Sequence, residues 1–177
     1  MAQKLFPHRA LKIISILVAF LLILPAISSA GQFTVTRVYD GDTVKAIGHD
    51  IESRVRLVGI DTPETSKKKR DPGQPYRQHA KKYLDRLVLD KVLNVRGYGL
   101  DRYNRILGVI YFNRKNINLE IVRERLAEVY RGKPPRSLDI GPYRQAEAED
   151  KKAGRSMWTL GDKYISPKGW REMHRGK

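Results

Sequence analysis

Five charged side chains, spread over three short motifs, have the types needed for chemistry at a phosphate group. Asp42 and Asp61 supply hard carboxylate oxygens of the kind that Ca²⁺ or Mg²⁺ binds. Glu64 follows closely enough in sequence to act on a water beside such a metal. Arg56 and Arg105 carry planar guanidinium groups, which bind phosphate bidentately and stabilise developing negative charge. The set predicts metal-assisted hydrolysis of a phosphodiester.

Each of these residues also has an ordinary structural explanation. Asp beside Gly or Pro commonly forms a turn, which would account for Asp42 and Asp61 separately. Arg56 is more informative, because it lies within an apolar run and a buried guanidinium is unfavourable without an anionic partner. Its alternative role is a structural ion pair with one of these carboxylates. The joint pattern favours chemistry, since a turn needs no arginine five residues before Asp-Thr-Pro-Glu.

The three motifs are Asp-Gly-Asp-Thr at 40–43, Arg-Leu-Val-Gly-Ile-Asp-Thr-Pro-Glu at 56–64 and Asp-Arg-Tyr-Asn-Arg at 101–105. In order and spacing they resemble the staphylococcal nuclease (thermonuclease) family, and the resemblance covers about residues 32–158. It implies an OB-fold of the α+β class, a five-stranded β-barrel with three helices. It further implies Ca²⁺-dependent hydrolysis of DNA and RNA with little sequence preference, leaving 3′-phosphate ends.

The resemblance also implies a role for each matching residue. The implied metal ligands are Asp42, Asp61 and the backbone carbonyl of Thr62, and the implied catalytic residues are Arg56, Arg105 and the general base Glu64. Where the family usually has glycine, this chain has Asn104, which also tolerates a left-handed backbone. We therefore expect the turn before Arg105 to be kept.

Four further residues are candidate substrate contacts. The resemblance places Tyr103 beside the phosphate and Tyr130 near a position where a tyrosine stacks on the base. Lys68 and Lys69 belong to the run Lys-Lys-Lys-Arg at 67–70, which is either a solvated surface loop or a cationic flap over the nucleic-acid backbone. The sequence leaves these two interpretations open.

Branched and aromatic residues predict five strands, at 33–39, 43–47, 51–60, 92–96 and 105–112. In a flat strand Arg56 and Asp61 would lie about 16 Å apart, at about 3.3 Å per residue, and could not serve one phosphate. The chemistry therefore requires a strongly curved strand, which we expect to relax at Gly59.

Helical periodicity predicts three helices. The first has Pro75 in its first turn and extends to Val88. The second begins at an Asn118 cap, and the third extends from near Pro142 to a left-handed cap at Gly154. The second helix is expected to bury Leu119, Val122, Leu126 and Val129, and the third to carry a Glu147–Lys151 ion pair.

The first thirty residues have the pattern of a secretory signal. Lys4, Arg9 and Lys12 precede or open an apolar run at 13–27, and small residues end at Ala30. The run is short for a bilayer-spanning helix, although an uncleaved anchor remains the alternative. We expect cleavage near Ala30, a secreted or periplasmic protein, a nuclease domain at 31–160 and a basic tail at 161–177.

The charge balance indicates a polyanionic partner. The chain carries +16, and loss of the three basic signal residues leaves +13, which favours DNA or RNA as partner. Cysteine is absent and the four histidines show no ligand spacing, so neither disulfides nor a zinc site is expected. We expect a monomer without a stable protein partner. The competing interpretations are a catalytically inactive OB-fold nucleic-acid binder and, more weakly, a basic cell-surface adhesion protein.

Overall fold

The computed structural model describes residues 31–66 and 73–175. The strands are β1 (Gly31–Val38), β2 (Thr43–Gly48), β3 (Ile51–Leu57), β4 (Ile60–Asp61), β5 (Val92–Leu100), β6 (Ile106–Phe112), β7 (Lys115–Asn116) and β8 (Glu128–Val129). The helices are α1 (Arg77–Val88), α2 (Ile117–Arg123), α3 (Gly141–Ala153), a 3-10 segment (Ser156–Lys163) and α4 (Pro167–Met173). None of these helices, within the described ranges, combines the length and apolarity required to cross a membrane.

Three sequence predictions lie outside the described residues. They concern the secretory signal at 1–30 and the candidate substrate contacts Lys68 and Lys69. All three stay predictions.

Five strands close into a barrel, which confirms the predicted OB-fold class. The order β3-β2-β1-β5-β6 is antiparallel at each step, and parallel pairing of β3 with β6 closes the barrel. Alternate residues of the strands point inward, as the period of a β-strand requires. The barrel core includes Val35, Val44, Val55, Val95 and Ile110, all buried.

The predicted third strand is divided in two, where the sequence analysis expected a single curved strand relaxed at Gly59. β3 ends at Leu57, and Gly59 adopts a φ of +83°, a left-handed conformation that favours glycine. The chain then enters β4, which leaves the barrel ladder and pairs with β8 instead. This break turns the residues after Leu57 back towards the barrel rim.

The first helix has the predicted buried face but a different start. Ala80, Leu84 and Val88 are buried against the barrel. The helix begins at Arg77 rather than with Pro75 in its first turn, because Tyr76 takes a left-handed φ of 64°. A left-handed residue cannot continue a right-handed helix, so the first turn begins one residue later.

The predicted cap of the second helix was wrong. The capping side chain is Asn116, which accepts a hydrogen bond from the Leu119 amide at 3.1 Å. Asn118 is fully buried and links the helix to the barrel: it accepts from the Ile110 amide at 3.1 Å and donates to the carbonyls of Val58 and Gly108 at 2.9 and 3.0 Å.

The end of the second helix also differs from the prediction. Arg125 takes a φ of 61°, and the helix stops at Arg123. Leu126 and Val129 are buried as expected, but they lie beyond the helix, and Val129 belongs to β8. Apolar spacing continued past the true helix end because the following turn packs against the same core.

The third helix agrees with its prediction. It spans Gly141–Ala153, with Pro142 in its first turn and Gly154 as a left-handed cap. Lys151 lies 3.4 Å from Glu147 across one turn. Glu147 also accepts a hydrogen bond from the Val129 amide at 2.9 Å, so it ties α3 to β8.

Residues of the basic tail fold onto the domain. The Tyr164 hydroxyl donates to the buried Glu128 carboxylate at 3.0 Å, and its ring packs 4.8 Å from that of Trp158. Ser166 caps α4 by accepting from the Gly169 amide. The tail therefore contributes a fourth helix, for which the sequence analysis found no motif.

Candidate active site

The break at Gly59 brings Arg56 and Asp61 together. Arg56 Nη2 donates to Asp61 Oδ1 at 3.0 Å, although the two residues lie five positions apart on what would otherwise be one strand. The backbone of the turn that carries Asp42 is fixed to β3 as well, because the Leu57 amide donates to the Asp42 carbonyl at 2.8 Å. The gap expected for a flat strand is thus closed by the curvature of the backbone.

Asp42 is the most tightly held acidic residue of the site and is only 2% exposed. Its Oδ2 accepts from the amide and the hydroxyl of Thr62 at 3.1 and 2.9 Å, and its Oδ1 accepts from the Thr43 hydroxyl at 3.2 Å. Arg56 Nη1 forms an ion pair with the same Oδ1. Asp40 has a turn role, since its Oδ1 accepts from the Asp42 amide at 3.1 Å.

Arg56 thus joins the two buried aspartates with one nitrogen each. Asp61 is 1% exposed and the Arg56 side chain 19%. The predicted structural alternative, an ion pair with these carboxylates, is present in the structure. It is compatible with chemistry, because the same geometry places a bidentate donor at the rim beside two hard-oxygen carboxylates.

Glu64 is positioned by Gln74, a residue that the sequence analysis missed. The Glu64 backbone N–H donates to the side-chain Oε1 of Gln74 at 2.9 Å, and the Gln74 backbone N–H donates to the Glu64 backbone carbonyl at 3.0 Å. Gln74 is 3% exposed. Burial raises the pKa of the Glu64 carboxyl, an effect that the nearby Arg171 guanidinium opposes. No short motif marks Gln74, because its role depends on a contact across ten residues.

Arg105 lies in a turn of the expected kind, with Asn104 at a left-handed φ of 58°. Its side chain is held by Asp101 Oδ2, at 2.8 Å from Nε and 2.7 Å from Nη2. Burial raises the pKa of Asp101, but hydrogen bonds from the backbone and side chain of Arg105 and from the Tyr103 amide outweigh it, so the net pKa is lowered. Asp101 therefore orients the Arg105 side chain.

The register of β3 and β6 places both arginines at the same end of the barrel, because Arg105 directly precedes β6, whose Ile106 and Leu107 pair with Val55 and Arg56. Burial raises the pKa of the Asp40 carboxyl, whereas the positive charges of Arg56 and Arg105 both oppose that rise. An electrostatic effect of two guanidinium groups on one carboxyl requires both to lie near it. The effect on Asp40 agrees with this placement, and no described contact joins Arg105 to Asp42 or Asp61.

The two candidate tyrosines are exposed near this region. The Tyr103 side chain lies against Arg102 and Arg105, with its ring centroid 5.5 Å from the guanidinium carbon of Arg105. The Tyr130 amide donates to the Gly59 carbonyl at 3.0 Å, directly after β8, and its side chain is 40% exposed. Both rings are accessible to a ligand, and their substrate contacts stay predictions.

A third arginine enters the site from the tail. Arg171 of α4 donates from Nη1 to Asp61 Oδ1 at 3.0 Å and from Nη2 to Asp61 Oδ2 at 2.7 Å. It also forms an ion pair with Glu64. The sequence analysis missed this contact, which spans more than one hundred positions and has no local signal.

The chemistry of these donors fits a hard divalent cation. Asp42 and Asp61 are buried carboxylates that already share one positive group, Arg56, and oxygen ligands of this kind suit Ca²⁺. Across residues 31–66 and 73–175, no three His, Asp or Glu side chains are grouped to hold a metal. The ligand set implied by the resemblance, which is the two aspartates together with the Thr62 carbonyl, stays a prediction.

The fold and the site together define a family. The model of the family described as "Staphylococcal nuclease homologue" matches residues 54–160, which include Arg56, Asp61, Glu64 and Arg105. The chain belongs to this family, as the resemblance of its motifs predicted, and the expected enzyme class, a nuclease hydrolase, is confirmed. Asp42 precedes the matched segment.

Individual relatives extend the similarity beyond that segment. An "Uncharacterized endonuclease" of Haemophilus influenzae is 30% identical over 169 residues, which cover 95% of this chain and 88% of the relative. "Endonuclease YncB" of Bacillus subtilis is 33% identical over 140 residues, covering 77% of this chain and 65% of that protein. "Probable endonuclease LCL3" of Debaryomyces hansenii is 31% identical over 126 residues, covering 68% of this chain and 53% of that protein. The chain thus spans most of the first relative and one half to two thirds of the other two.

Proposed function

We propose that this protein is a secreted, Ca²⁺-dependent endonuclease that hydrolyses DNA and RNA with little sequence preference. The observation that carries the proposal is the convergence of Asp42, Asp61 and Glu64 on guanidinium groups at one end of a closed barrel. The family and the printed names of the relatives support nuclease chemistry. A catalytically inactive binder has no need of a buried acidic pair, a glutamate and two arginines at one rim.

The cation would be held by Asp42, Asp61 and the Thr62 carbonyl, and when bound it would supply positive charge that offsets the negative charge of the phosphate and orients the attacking water. Burial raises the pKa of Glu64, which brings the carboxylate closer to the basicity needed to accept a proton from that water. Attack at phosphorus in line with the 5′ oxygen expels that oxygen and leaves a 3′-phosphate.

Arg56 and Arg105 would stabilise the negative charge that develops on the phosphate oxygens. A guanidinium offers two parallel donors, which match two oxygens of one phosphate. Arg56 is already fixed by Asp42 and Asp61, and Arg105 by Asp101. Donors held in place before the reaction need little reorganisation when charge develops, which is the condition for effective electrostatic catalysis.

The preference for a polyanionic substrate follows from the charge of the whole chain. A charge of +16 favours encounter with nucleic acid and requires that binding weaken steeply as salt is raised. Tyr103 and Tyr130 are exposed near the site; Tyr103 would lie beside the phosphate, and Tyr130 would stack on a base, a contact that every base can make. Both features favour low sequence specificity, with single-stranded or loosened DNA and RNA as substrates.

Export is the part of the proposal supported by sequence pattern alone. Expression of the full chain in a bacterium, followed by intact-mass measurement of the protein outside the cytoplasm, tests it. We expect a mass that corresponds to cleavage near Ala30. Recovery of the full chain in the membrane fraction would instead support an uncleaved anchor.

The decisive test of the activity uses the mature protein with plasmid DNA, denatured DNA and RNA, in millimolar calcium and in excess chelator. We expect fragments with 3′-phosphate ends in calcium and none in chelator. Glu64→Gln should lower the rate about 10²-fold to 10⁴-fold, the usual contribution of a general base. Glu52→Gln is the matched control, because Glu52 is an exposed residue of β3 that pairs only with Lys45 among its described contacts.

The same experiment separates the competing functions. Retarded migration of nucleic acid on a gel without fragmentation in calcium would support an inactive OB-fold binder. An adhesion protein would show neither fragmentation nor an effect of Glu64→Gln on its attachment to cells. Equal loss of activity in Glu52→Gln and Glu64→Gln would contradict the role assigned to Glu64.

A further inference from the structure

The last helix places a positive side chain on the acidic residues of the candidate active site. Both carboxylate oxygens of Asp61 accept from Arg171, at 3.0 and 2.7 Å, and Glu64 pairs with the same guanidinium. Asp61 is 1% exposed, whereas the Arg171 side chain is 40% exposed. A solvent-accessible cation thus covers a buried carboxylate that the proposed function assigns to Ca²⁺.

Arg171 and a divalent cation need the same oxygens. Asp61 Oδ1 already accepts from both Arg56 and Arg171, and Oδ2 accepts from Arg171. A guanidinium hydrogen-bonded to both oxygens of a carboxylate leaves little room for a metal to coordinate them. The two cations therefore compete, and the more exposed of the two arginines is the one free to leave.

The segment that carries Arg171 is anchored independently of it. The Gln74 side chain donates to the Ile165 carbonyl at 2.6 Å, and Tyr164 donates to Glu128 at 3.0 Å. Gln74 is the residue that also holds the backbone of Glu64. Residues 164–175, which we call the strap, are thus tethered at one end to the framework of the site, and α4 lies beyond the tether.

Apart from those of Arg171, the polar and ring contacts described for α4 stay within the strap. Lys168 and Glu172 form an exposed pair at 3.9 Å, and Trp170 stacks on His174 within the strap itself, with ring centroids 4.4 Å apart. Pro167, at the start of α4, is its buried residue. Loss of the Arg171 contact would therefore free the end of the strap while Tyr164 and Ile165 stay attached.

We propose that the strap is autoinhibitory: Arg171 occupies the Asp61 side of the cation site and pairs with the general base Glu64, and calcium binding displaces it. This inference rests on the proposed function, because it takes the site to bind calcium. It predicts that the strap lowers the affinity for calcium and shields Glu64 from water until the metal arrives. Excess calcium overcomes the inhibition by mass action.

The test compares Arg171→Ala with Lys168→Ala in the full mature chain. Each variant removes one positive charge from α4, but Lys168 contacts only Glu172 among the described residues. Isothermal titration with calcium chloride should show an affinity about tenfold higher for Arg171→Ala, because the lost contact is a half-exposed, charge-assisted one. Lys168→Ala should match the wild type. Equal affinities in all three proteins would overturn the proposal.

A second measurement detects displacement itself. Hydrogen exchange of the strap amides should accelerate in wild-type protein when calcium is added, and should already be fast without calcium in Arg171→Ala. Exchange that is unchanged by saturating calcium in the wild type would refute displacement. Thermal unfolding of both variants, expected within a few degrees of the wild type, shows that they are folded.

Nuclease rates separate this inference from the proposed function. At limiting calcium Arg171→Ala should be faster than the wild type, and at saturating calcium the two should converge. A large loss of activity in Arg171→Ala at saturating calcium would make Arg171 a participant in the reaction and overturn autoinhibition. If no variant cleaves nucleic acid, the proposed function fails, whereas the calcium titration and hydrogen exchange still decide whether the strap competes with the metal.

Discussion

Arg56→Lys isolates the geometry of a guanidinium from its charge. Arg56 uses Nη1 for Asp42 and Nη2 for Asp61, so two separate nitrogens reach two separate carboxylates. A lysine ammonium is a single point on a flexible stem and cannot reproduce the planar fork. The variant keeps the net charge but loses at least one charge-assisted hydrogen bond, which contributes about 1.5–3 kcal/mol. If that donor acts on the phosphate in the transition state, kcat/KM falls about tenfold to 150-fold.

The assay is initial-rate cleavage of a short fluorescent single-stranded oligonucleotide at saturating calcium and fixed salt. Arg54→Lys is the matched control: it lies two residues earlier on β3, where its guanidinium is 5.0 Å from the centroid of the Tyr39 ring and has no role at the carboxylates. We expect Arg54→Lys to retain nearly full activity. Turnover within threefold of the wild type in a folded Arg56→Lys protein would refute the assigned role.

Two further predictions concern stability. Burial raises the pKa of Tyr143 to about 12 from 10.0. The buried, neutral phenol therefore contributes its full share to the free energy of unfolding below pH 10, and this share is lost as pH rises to 12. This loss amounts to about 2–3 kcal/mol. In chemical denaturation from pH 10 to 12, the free energy of unfolding should decline less in Tyr143→Phe than in the wild type, and equal declines would contradict this role of Tyr143. Asn118→Ala should lower the free energy of unfolding by about 3–5 kcal/mol, since it leaves buried backbone groups unpaired, whereas the exposed Asn94→Ala should cost less than about 0.5 kcal/mol. A loss below about 1 kcal/mol in Asn118→Ala would contradict the linking role.

The barrel and the centre of the site were predictable because their signals are local. Alternating branched residues define the strands, and a half-buried arginine must have an anionic partner close by. The need to bring Arg56 to Asp61 required a curved backbone between them, and Gly59, the residue best able to adopt a positive φ, lies where the strand breaks. Sequence and geometry therefore agreed at the centre of the site, where the constraint acted within a few residues.

The start of the first helix was missed because of the local backbone of Tyr76, whereas the main omissions at the site have another physical cause, which is contact between distant parts of the chain. Asn116 and Asn118 are both good cap residues, and only the packing of the barrel against α2 decides that Asn118 is buried and Asn116 caps. Gln74 looks like a polar loop residue, yet it joins Glu64 to Ile165. No periodicity or motif encodes such pairings.

The charge balance of the site explains why the protein places one of its own positive side chains, Arg171, there. Asp42, Asp61 and Glu64 carry three negative charges in a largely buried region, and Arg56 supplies one positive charge. Buried carboxylates without enough positive charge nearby are costly, so Arg171 reduces the excess to one negative charge. Replacement of Arg171 by a divalent cation would bring the net charge of these groups to zero. The same carboxylates thus bind either partner, and the exchange is favoured in the direction of the doubly charged ion, provided that its hydration is replaced by Asp42, Asp61 and the Thr62 carbonyl.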